Sequence, residues 1–584
     1  LGLRTLTVMG DALKLIKANR GIDLDLDAIP LDDAAACDIL TKGDTSGVFQ
    51  LESEGITKLV MDLRPEHFED LIPLVALYRP GPLGSGMVAD FIDRRHGKKE
   101  VTYLHPILEP ILKDTFGVIL YQEQVMQIAS AMGGFSLGQA DLMRRAMGKK
   151  KESVLKAQRE SFIQGSVANG ITESVANEVF DLLVYFAGYG FNKSHSAAYA
   201  YIAYQTAYLK AHYFPEFMAA TMTSFMQNMQ KLTYYINSCK KHNVKVLGPD
   251  INYSERSFAV QDDAIRFGLG GIKNVGDNAI DRLIRERNEH GLYTDIVDFC
   301  KRVDNRVVNK RLLESLIRCG AMDGFQENRN QLLHMYESAQ AVGSKEQKDA
   351  AMGTMNLFGD MDEAVDFIPV PNVEDLSEDD KLKDEKEYTG FYITGHPLQG
   401  YAKELEGLFE LGALVENPEQ YDGQTITFGG LIENKSDRMT KRNELMSILR
   451  IEDYSGAANV VAFPKVFSQS QQFLAVDMIV KVKGRVDADE KGVQIIADRI
   501  TPLKVNYNQA KQVAIHIYSQ YDTPENSEAL KRVLVNTAGS VPTSLYLHRQ
   551  RKRINLPPNM CFDPSDESIK AIEAILGEGS VEVQ

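Results

Sequence analysis

From Gln424 onward the apolar residues of this chain stop recurring at helical intervals and begin to alternate, which limits what each part can become. Apolar residues three to four apart share one face of a helix, whereas alternation places them on one face of a strand. From about Leu31 to Tyr235 the text is helical: Leu142, Ala146, Val154 and Leu155 recur among charges, and Ala197 to Phe214 runs without a breaker. Gly and Pro clusters punctuate it at Arg79-Pro-Gly-Pro-Leu-Gly-Ser-Gly-Met87 and at Gly188-Tyr-Gly190. After the change of period, five strands are predicted: Gln424–Asn434, Leu445–Asp453, Asn459–Phe463, Met478–Asp487 and Val493–Ile500. A helix at about Lys465 to Leu474 falls between the third and fourth, an order that suits a Greek-key barrel of the OB type.

Between these parts, Leu247 to Leu333 opens with short strand-like runs. It continues into Gly268-Leu-Gly-Gly-Ile-Lys-Asn-Val-Gly276, a charged helix from Asp277 to His290, and a helical unit from Asn309 to Cys319. Ala341 to Glu387 is polar and acidic with little periodicity, and is expected to be a solvated linker interrupted only by Met355-Asn-Leu-Phe358. The last stretch, Val513 to Val583, alternates strands (Val513–Tyr518, Ser544–His548) with helices (Glu525–Asn536, Ser568–Leu576). The expected fold class is multidomain α+β: a mostly helical first part, a hairpin-bearing domain, an OB-fold β-barrel and a small α/β carboxy-terminal domain.

A chain of 584 residues suggests roughly four domains. With 65 Lys plus Arg against 81 Asp plus Glu the net charge is −16, so any nucleic-acid site has to be a local basic patch. No apolar run approaches the roughly 20 residues that cross a bilayer, and neither a membrane nor an export reading is expected. The five cysteines are scattered without a C-x-x-C pair, which suits a reducing cytoplasm. The first residue is Leu1, in text that reads as a strand end turning into a helix. The expectation is a carboxy-terminal portion of something longer.

The richest chemistry lies in Leu142-Met-Arg-Arg-Ala-Met-Gly-Lys-Lys-Lys151, where Arg144, Arg145, Lys149, Lys150 and Lys151 gather within about two helical turns. Adjacent guanidiniums offer forked donors to phosphate oxygens and the lysines add point charges; a solvated helix face carries the same pattern. Gly188-Tyr-Gly-Phe-Asn-Lys-Ser-His-Ser-Ala-Ala-Tyr199 leads into a helix that Ser194 or Ser196 could cap, leaving free N–H groups as an anion site. A well-capped helix with a satisfied histidine reads the same. Tyr201, Tyr204 and Tyr208 recur at helical spacing and are expected in the core. Gly268 to Gly276 followed by a helix has the helix-hairpin-helix pattern, in which Gly271, Lys273, Asn274 and Gly276 would face a DNA phosphate. Lys435, Arg438, Lys441 and Arg442 fall in the first long loop expected of the barrel, where OB folds often grip single strands. There is no Walker A sequence, histidine–cysteine metal spacing, serine elbow or kinase set.

At these residues the chain resembles the family of α (catalytic) subunits of bacterial DNA polymerase III, the replicative C-family. The matching stretches are Val48-Phe-Gln-Leu-Glu-Ser53, Leu74-Val-Ala-Leu-Tyr-Arg-Pro-Gly-Pro82, Ile119-Leu-Tyr-Gln-Glu-Gln-Val-Met126, Arg144-Arg-Ala-Met-Gly-Lys-Lys-Lys151, Phe186 to Ala200 and Tyr392-Ile-Thr-Gly-His-Pro397. The resemblance implies the end of a palm over 1–30, fingers over 31–246 and a clamp-binding domain over 247–400, its hairpin at 268–290. It further implies an OB fold over 421–504 and a clamp-loader-binding type of domain over 510–584.

The activity implied is template-directed nucleotidyl transfer with Mg2+ held on palm aspartates; these would precede Leu1, so the fragment alone is expected to be inactive. Arg144 and Arg145 would hold the incoming triphosphate, with Tyr189, Asn192, Ser194 and His195 bordering the nascent base pair; Arg79 is a weaker candidate. Gly353-Thr-Met-Asn-Leu-Phe-Gly359 falls where the family carries its sliding-clamp peptide, with Leu357 and Phe358 as anchors beside Met355 and with Thr354 in place of the usual Gln. Implied partners are primer–template DNA, single-stranded template, deoxynucleoside triphosphates, the β sliding clamp, the clamp-loader τ subunit and a proofreading exonuclease. The implied location is the bacterial cytoplasm at the nucleoid. A non-catalytic DNA- and clamp-binding scaffold and the damage-tolerant relative of the same family are the competing readings.

Overall fold

The computed structural model describes residues 2–583 except 85, 149–151, 188–189, 352–367, 417, 441, 490–491, 504–512, 551, 558–559, 563 and 578. The chain divides into two compact units, residues 1–396 with 412–417 and residues 397–411 with 418–584.

The first unit is largely helical. Helix Arg4–Arg20 packs on helix Phe214–Ser224, and helix Lys193–His212 packs on Ala34–Thr41 and Leu71–Leu77. The long predicted helix begins earlier than expected, at Lys193, and ends at His212. Pro215, in the first turn of the next helix, has no N–H to continue the ladder, so the chain restarts there. Tyr204 is fully buried as expected, its hydroxyl donating to the Pro30 carbonyl at 2.7 Å, while Tyr201 and Tyr208 are half-buried.

A separate apolar cluster in this unit includes Ile128, Met143, Phe162 and Phe180, drawn from helices Gln122–Gly133, Leu137–Gly148, Glu152–Ala168 and Glu173–Ala187. Met143, Ala146 and Met147 face inward, whereas Leu142 is exposed. The backbones of the first and third of these helices meet at two glycines. A Cβ on Gly165 would lie 1.9 Å from the Gly133 carbonyl oxygen, so only glycine fits.

Further along, β1 (Val246–Leu247), β2 (Ala259–Gln261) and β3 (Ala264–Arg266) form a small sheet ordered β1-β3-β2. The charged helix spans Asp277–His290, as predicted, and Asn309 caps the helix Lys310–Arg318. The expected linker needs correcting at both ends. Helix Arg329–Ala351 runs into it and helix Glu378–Thr389 emerges from it. Glu385, read as part of a solvated acidic run, is 1% exposed and accepts from Arg329 Nη2 at 3.2 Å. Its other oxygen accepts from the backbone N–H groups of Ile393 and Thr394, both at 3.0 Å. The acidic segment thus supplies the carboxylate that holds Tyr392-Ile-Thr-Gly-His-Pro397 in place.

In the second unit, β4 (Thr425–Met439), β5 (Leu445–Glu452), β6 (Ala457–Ala462), β7 (Ile479–Asp489) and β8 (Gly492–Pro502) close into a barrel ordered β4-β5-β6-β8-β7. Helix Pro464–Ser470 lies between β6 and β7, the order of an OB fold. The inward residues Phe428, Leu449, Ile451, Val460 and Ile495 are fully buried. A smaller four-stranded sheet of β9 (Val513–Ile517), β11 (Thr543–Leu547), β12 (Lys552–Asn555) and β13 (Val581–Val583), in the order β12-β11-β9-β13, ends the chain, with the short strand β10 (Ala538–Val541) preceding β11. Helices Pro524–Asn536 and Asp566–Leu576 pack with it, and the short strands β10, β12 and β13 were not legible in sequence.

Candidate nucleic-acid interface

The turn into helix Lys193–His212 is fixed by backbone bonds to a distant segment. Phe191 forms a bridge with Tyr121: its N–H donates to the Leu120 carbonyl at 3.1 Å, and its own carbonyl accepts from Gln122 N–H at 2.9 Å. Asn192 then caps the helix, accepting from His195 N–H at 2.8 Å. Neither serine caps it: Ser194 is exposed and Ser196 is buried, donating to the Ile72 carbonyl at 2.5 Å. Asparagine one position ahead of the first helical residue has the shorter reach to the N–H three residues on. The expected anion site is also already engaged. Glu123 accepts from Lys193 N–H with both oxygens, at 3.1 and 3.0 Å, and from Asn192 Nδ2 at 2.9 Å.

His195 is exposed in a row of rings. Its centroid lies 4.3 Å from Tyr199 and 5.4 Å from Phe191, and the Arg79 guanidinium sits 4.6 Å over Phe191. Arg79 donates to the Ala76 carbonyl at 2.9 Å, and burial pulls its pKa below the usual arginine value. A cleft of about 340 Å³ opens nearby, lined by Tyr121 and Lys193 together with the ion-paired Arg95 and Asp70.

On helix Leu137–Gly148, Arg144 and Arg145 converge on one carboxylate. Each donates an Nη2 hydrogen bond at 2.8 Å to Asp141, one to each oxygen. The bond from Arg144 and the charge of Arg145 hold the Asp141 carboxyl below the usual range. The spacing of three and four residues makes the clasp possible; Arg144 also donates its Nε to Asp141 at 3.1 Å and is largely covered, whereas Arg145 is exposed. Among the described residues no hydrogen bond, ion pair or ring contact joins this pair to His195.

In the hairpin, Lys273 and Asn274 are exposed. Lys273 N–H donates to the Tyr388 carbonyl at 2.8 Å, so this backbone donor is not directed at solvent. Gly271 is a packing glycine, since a Cβ there would lie 2.5 Å from the Phe267 ring, whereas Gly276 stands in open space at the start of its helix. Asp277 and Asp281 flank that start and pair with Arg256.

Two of the barrel cations do not occupy a loop. Lys435 and Arg438 lie within β4, opposite Leu449 and Met446 of β5, because the two strands continue pairing beyond the barrel wall. Lys435 pairs with Asp437 at 3.2 Å and sits 5.6 Å over the Phe467 ring. Arg442 is exposed in the turn that joins the strands.

Comparison with known families gives three matches in chain order: the bacterial DNA polymerase III alpha subunit finger domain over residues 5–170, a helix-hairpin-helix motif over 243–332 and an OB-fold nucleic acid binding domain over 426–503. Along its entire length the chain is 39% identical to DNA polymerase III subunit alpha of Escherichia coli (strain K12), covering 52% of that protein. The subunit of Pseudomonas aeruginosa matches at the same identity and coverage, and that of Borreliella burgdorferi at 37% over 97% of this chain and 50% of its own. The chain is similar along its whole length to DNA polymerase III alpha subunits. It spans about half the length of the curated relatives it matches. Among solved structures, an asparaginyl-tRNA synthetase from Pyrococcus horikoshii overlaps 20% of this chain and 32% of its own at 19% identity and TM-score 0.13, too slight a likeness to speak to the fold.

Of the residues singled out in sequence, Asn192, Ser194 and His195 meet at one helix start, and Arg144 and Arg145 meet at Asp141. Tyr189, Lys149, Lys150, Lys151, Lys441, Thr354, Met355, Leu357 and Phe358 lie outside the described residues. Among the described residues no three His, Cys, Asp or Glu side chains converge as metal ligands. Two neighbours of these residues escaped sequence reading. Asp141 could have been found by its spacing to the arginines; Glu123, 69 residues from Asn192, left no local signal.

Proposed function

We propose that this chain is the nucleotide- and DNA-handling part of a template-directed DNA polymerase acting in bacterial chromosome replication. The observation that carries the reading is the similarity to DNA polymerase III alpha subunits from one end of the chain to the other. Arg144 and Arg145, clasped side by side by Asp141, present forked donors suited to a triphosphate. There they would neutralise charge as pyrophosphate leaves. The ring row of Phe191, His195 and Tyr199, with Arg79 beneath it, suits the edge of a nascent base pair, with Tyr189 as a further contact. The hairpin around Lys273 to Gly276 would track duplex phosphates without reading sequence, and the barrel with Lys435, Arg438, Lys441 and Arg442 would hold single-stranded template.

Transfer itself requires magnesium held by aspartates that are not among the groups described, so the chain alone binds DNA without extending it. Residues 353–359 would dock the β sliding clamp through Leu357 and Phe358, and the carboxy-terminal domain would meet the clamp-loader τ subunit, with a proofreading exonuclease as a further partner in the bacterial cytoplasm. The test is primer extension by the chain alone, with a gel shift on the same primer–template. Binding without extension is expected; extension would mean that a catalytic carboxylate set lies within this chain. In the complete subunit, Arg144→Ala with Arg145→Ala should raise the KM for nucleotide and lower kcat, with little loss of DNA affinity. A loss confined to DNA affinity would move both arginines to the duplex track. Leu357→Ala with Phe358→Ala should abolish clamp binding in titration, and unchanged affinity would remove that assignment.

A further inference from the structure

Among the described residues, the two helices of the terminal domain pack on one face of its sheet. Val513, Ile515 and Ile517 of β9 point into a core with Leu530, Leu534, Ile572 and Leu576 of the two helices. Alternation along the strands sends Ala514 and His516, then Tyr518 just beyond β9, to the other side, with Ser544 and Tyr546 of β11 and then His548. On that face the rings form parallel stacks across neighbouring strands. His516 and Tyr546 lie 5.0 Å apart between centroids with planes 17° apart, and Tyr518 and His548 lie 4.5 Å apart at 21°. His516 Nδ1 and His548 Nε2 share one hydrogen bond at 3.0 Å, tying the two stacks together. Tyr518 is 40% exposed and follows the last residue of β9.

Beside the rings runs a cationic edge. The hairpin from β11 into the edge strand β12 reads Arg549-Gln-Arg-Lys-Arg553, four cations in five residues of a chain whose net charge is −16. Arg549, Lys552 and Arg553 are exposed. Arg553 lies 5.2 Å over the Tyr546 ring and donates to Ser544 Oγ at 3.1 Å, so its charge is held next to the stacks. Among the described residues, the carboxylate next to these rings is Glu582 on the opposite edge strand, 3.4 Å from His516 Nε2.

We infer that this face is a second binding track for single-stranded DNA, with unstacked bases extending the ring stacks at Tyr518 and the phosphate backbone following Arg549 in the turn and Arg553, which sits opposite Tyr546. The geometry favours a single strand, because a duplex keeps its base faces paired within its own stack, and aromatic platforms beside a cationic groove suit exposed bases. An acidic protein segment would use the cations but has no need of parallel rings. The inference rests on the polymerase reading above, in which this chain handles template.

The test is photocrosslinking of the full chain to a thymidine oligonucleotide carrying 5-iododeoxyuridine, with crosslinked peptides located by mass spectrometry. Peptides bearing Tyr518, Tyr546 or His548 are expected, and Arg549→Glu with Arg553→Glu should weaken their capture about tenfold at 0.1 M salt. DNA binding with crosslinks confined to residues 425–502 would overturn this inference and leave the polymerase reading standing. Absence of all DNA binding would overturn both. Replacing Tyr518 by Leu keeps the apolar bulk and removes the aromatic face; an unchanged crosslink yield from this variant would also overturn the inference.

Discussion

At Glu123 a single carboxylate closes the start of a helix that lies far away in sequence. It accepts from a backbone N–H and from the capping asparagine at once, so Glu123→Ala strands two donors. The expected loss is about 1 kcal/mol in a urea titration, the usual size of a helix-terminus interaction. Asn192 was within reach of sequence reasoning, since Asn before an alanine-rich run is a capping signal, but two nearby serines competed for the role. Burial tells a further story at His396. Desolvation, with Lys240 and Lys386 adding like charge, pulls its pKa from 6.5 to about 4. The unfolded chain therefore binds a proton there near pH 6.5 while the folded chain stays neutral until about pH 4. Stability should fall as the pH drops through that window and level off below it. His396→Phe should flatten this dependence, as read from urea midpoints at pH 7 and 5.

At the scale of elements, some pairs of helices and strands could be read from sequence and others could not. The barrel strands were legible because each buries one face, so every second residue is apolar. Helix Glu378–Thr389 was not, because its stability comes from Glu385 meeting Arg329, 56 residues away, and not from an apolar stripe. Arg329→Met should cost about 3–5 kcal/mol by leaving Glu385 buried and unpaired, measurable as a lowered Tm. The pair Gly133 and Gly165 carries a similar lesson. Gly165→Ala should cost about 1–3 kcal/mol, since the helices bearing Phe162 and Ile128 must separate to admit the methyl group. Because helix Leu137–Gly148 packs in the same cluster, nucleotide affinity should weaken along with Tm if Arg144 and Arg145 hold the triphosphate.

For the molecule as a whole, a net charge of −16 opposes every approaching phosphate, and several groups proposed to meet phosphate arrive already partnered. Arg144 and Arg145 share Asp141, Lys435 has Asp437, and the helix start at Lys193 has Glu123. The chain as a whole still reads as helical fingers, hairpin, barrel and small α/β domain because those divisions follow the period of the apolar residues. The partnerships do not follow that period, and they surface only once the helices are folded. Asp141→Asn should therefore raise affinity for inorganic triphosphate while making it more sensitive to salt, as read from titrations between 50 and 200 mM KCl. The protein in effect carries its own counterions, tethered to the backbone. Unlike the mobile ions that DNA sheds on binding, these cannot diffuse away, so an anion that binds here exchanges with a carboxylate that stays close by, ready to return.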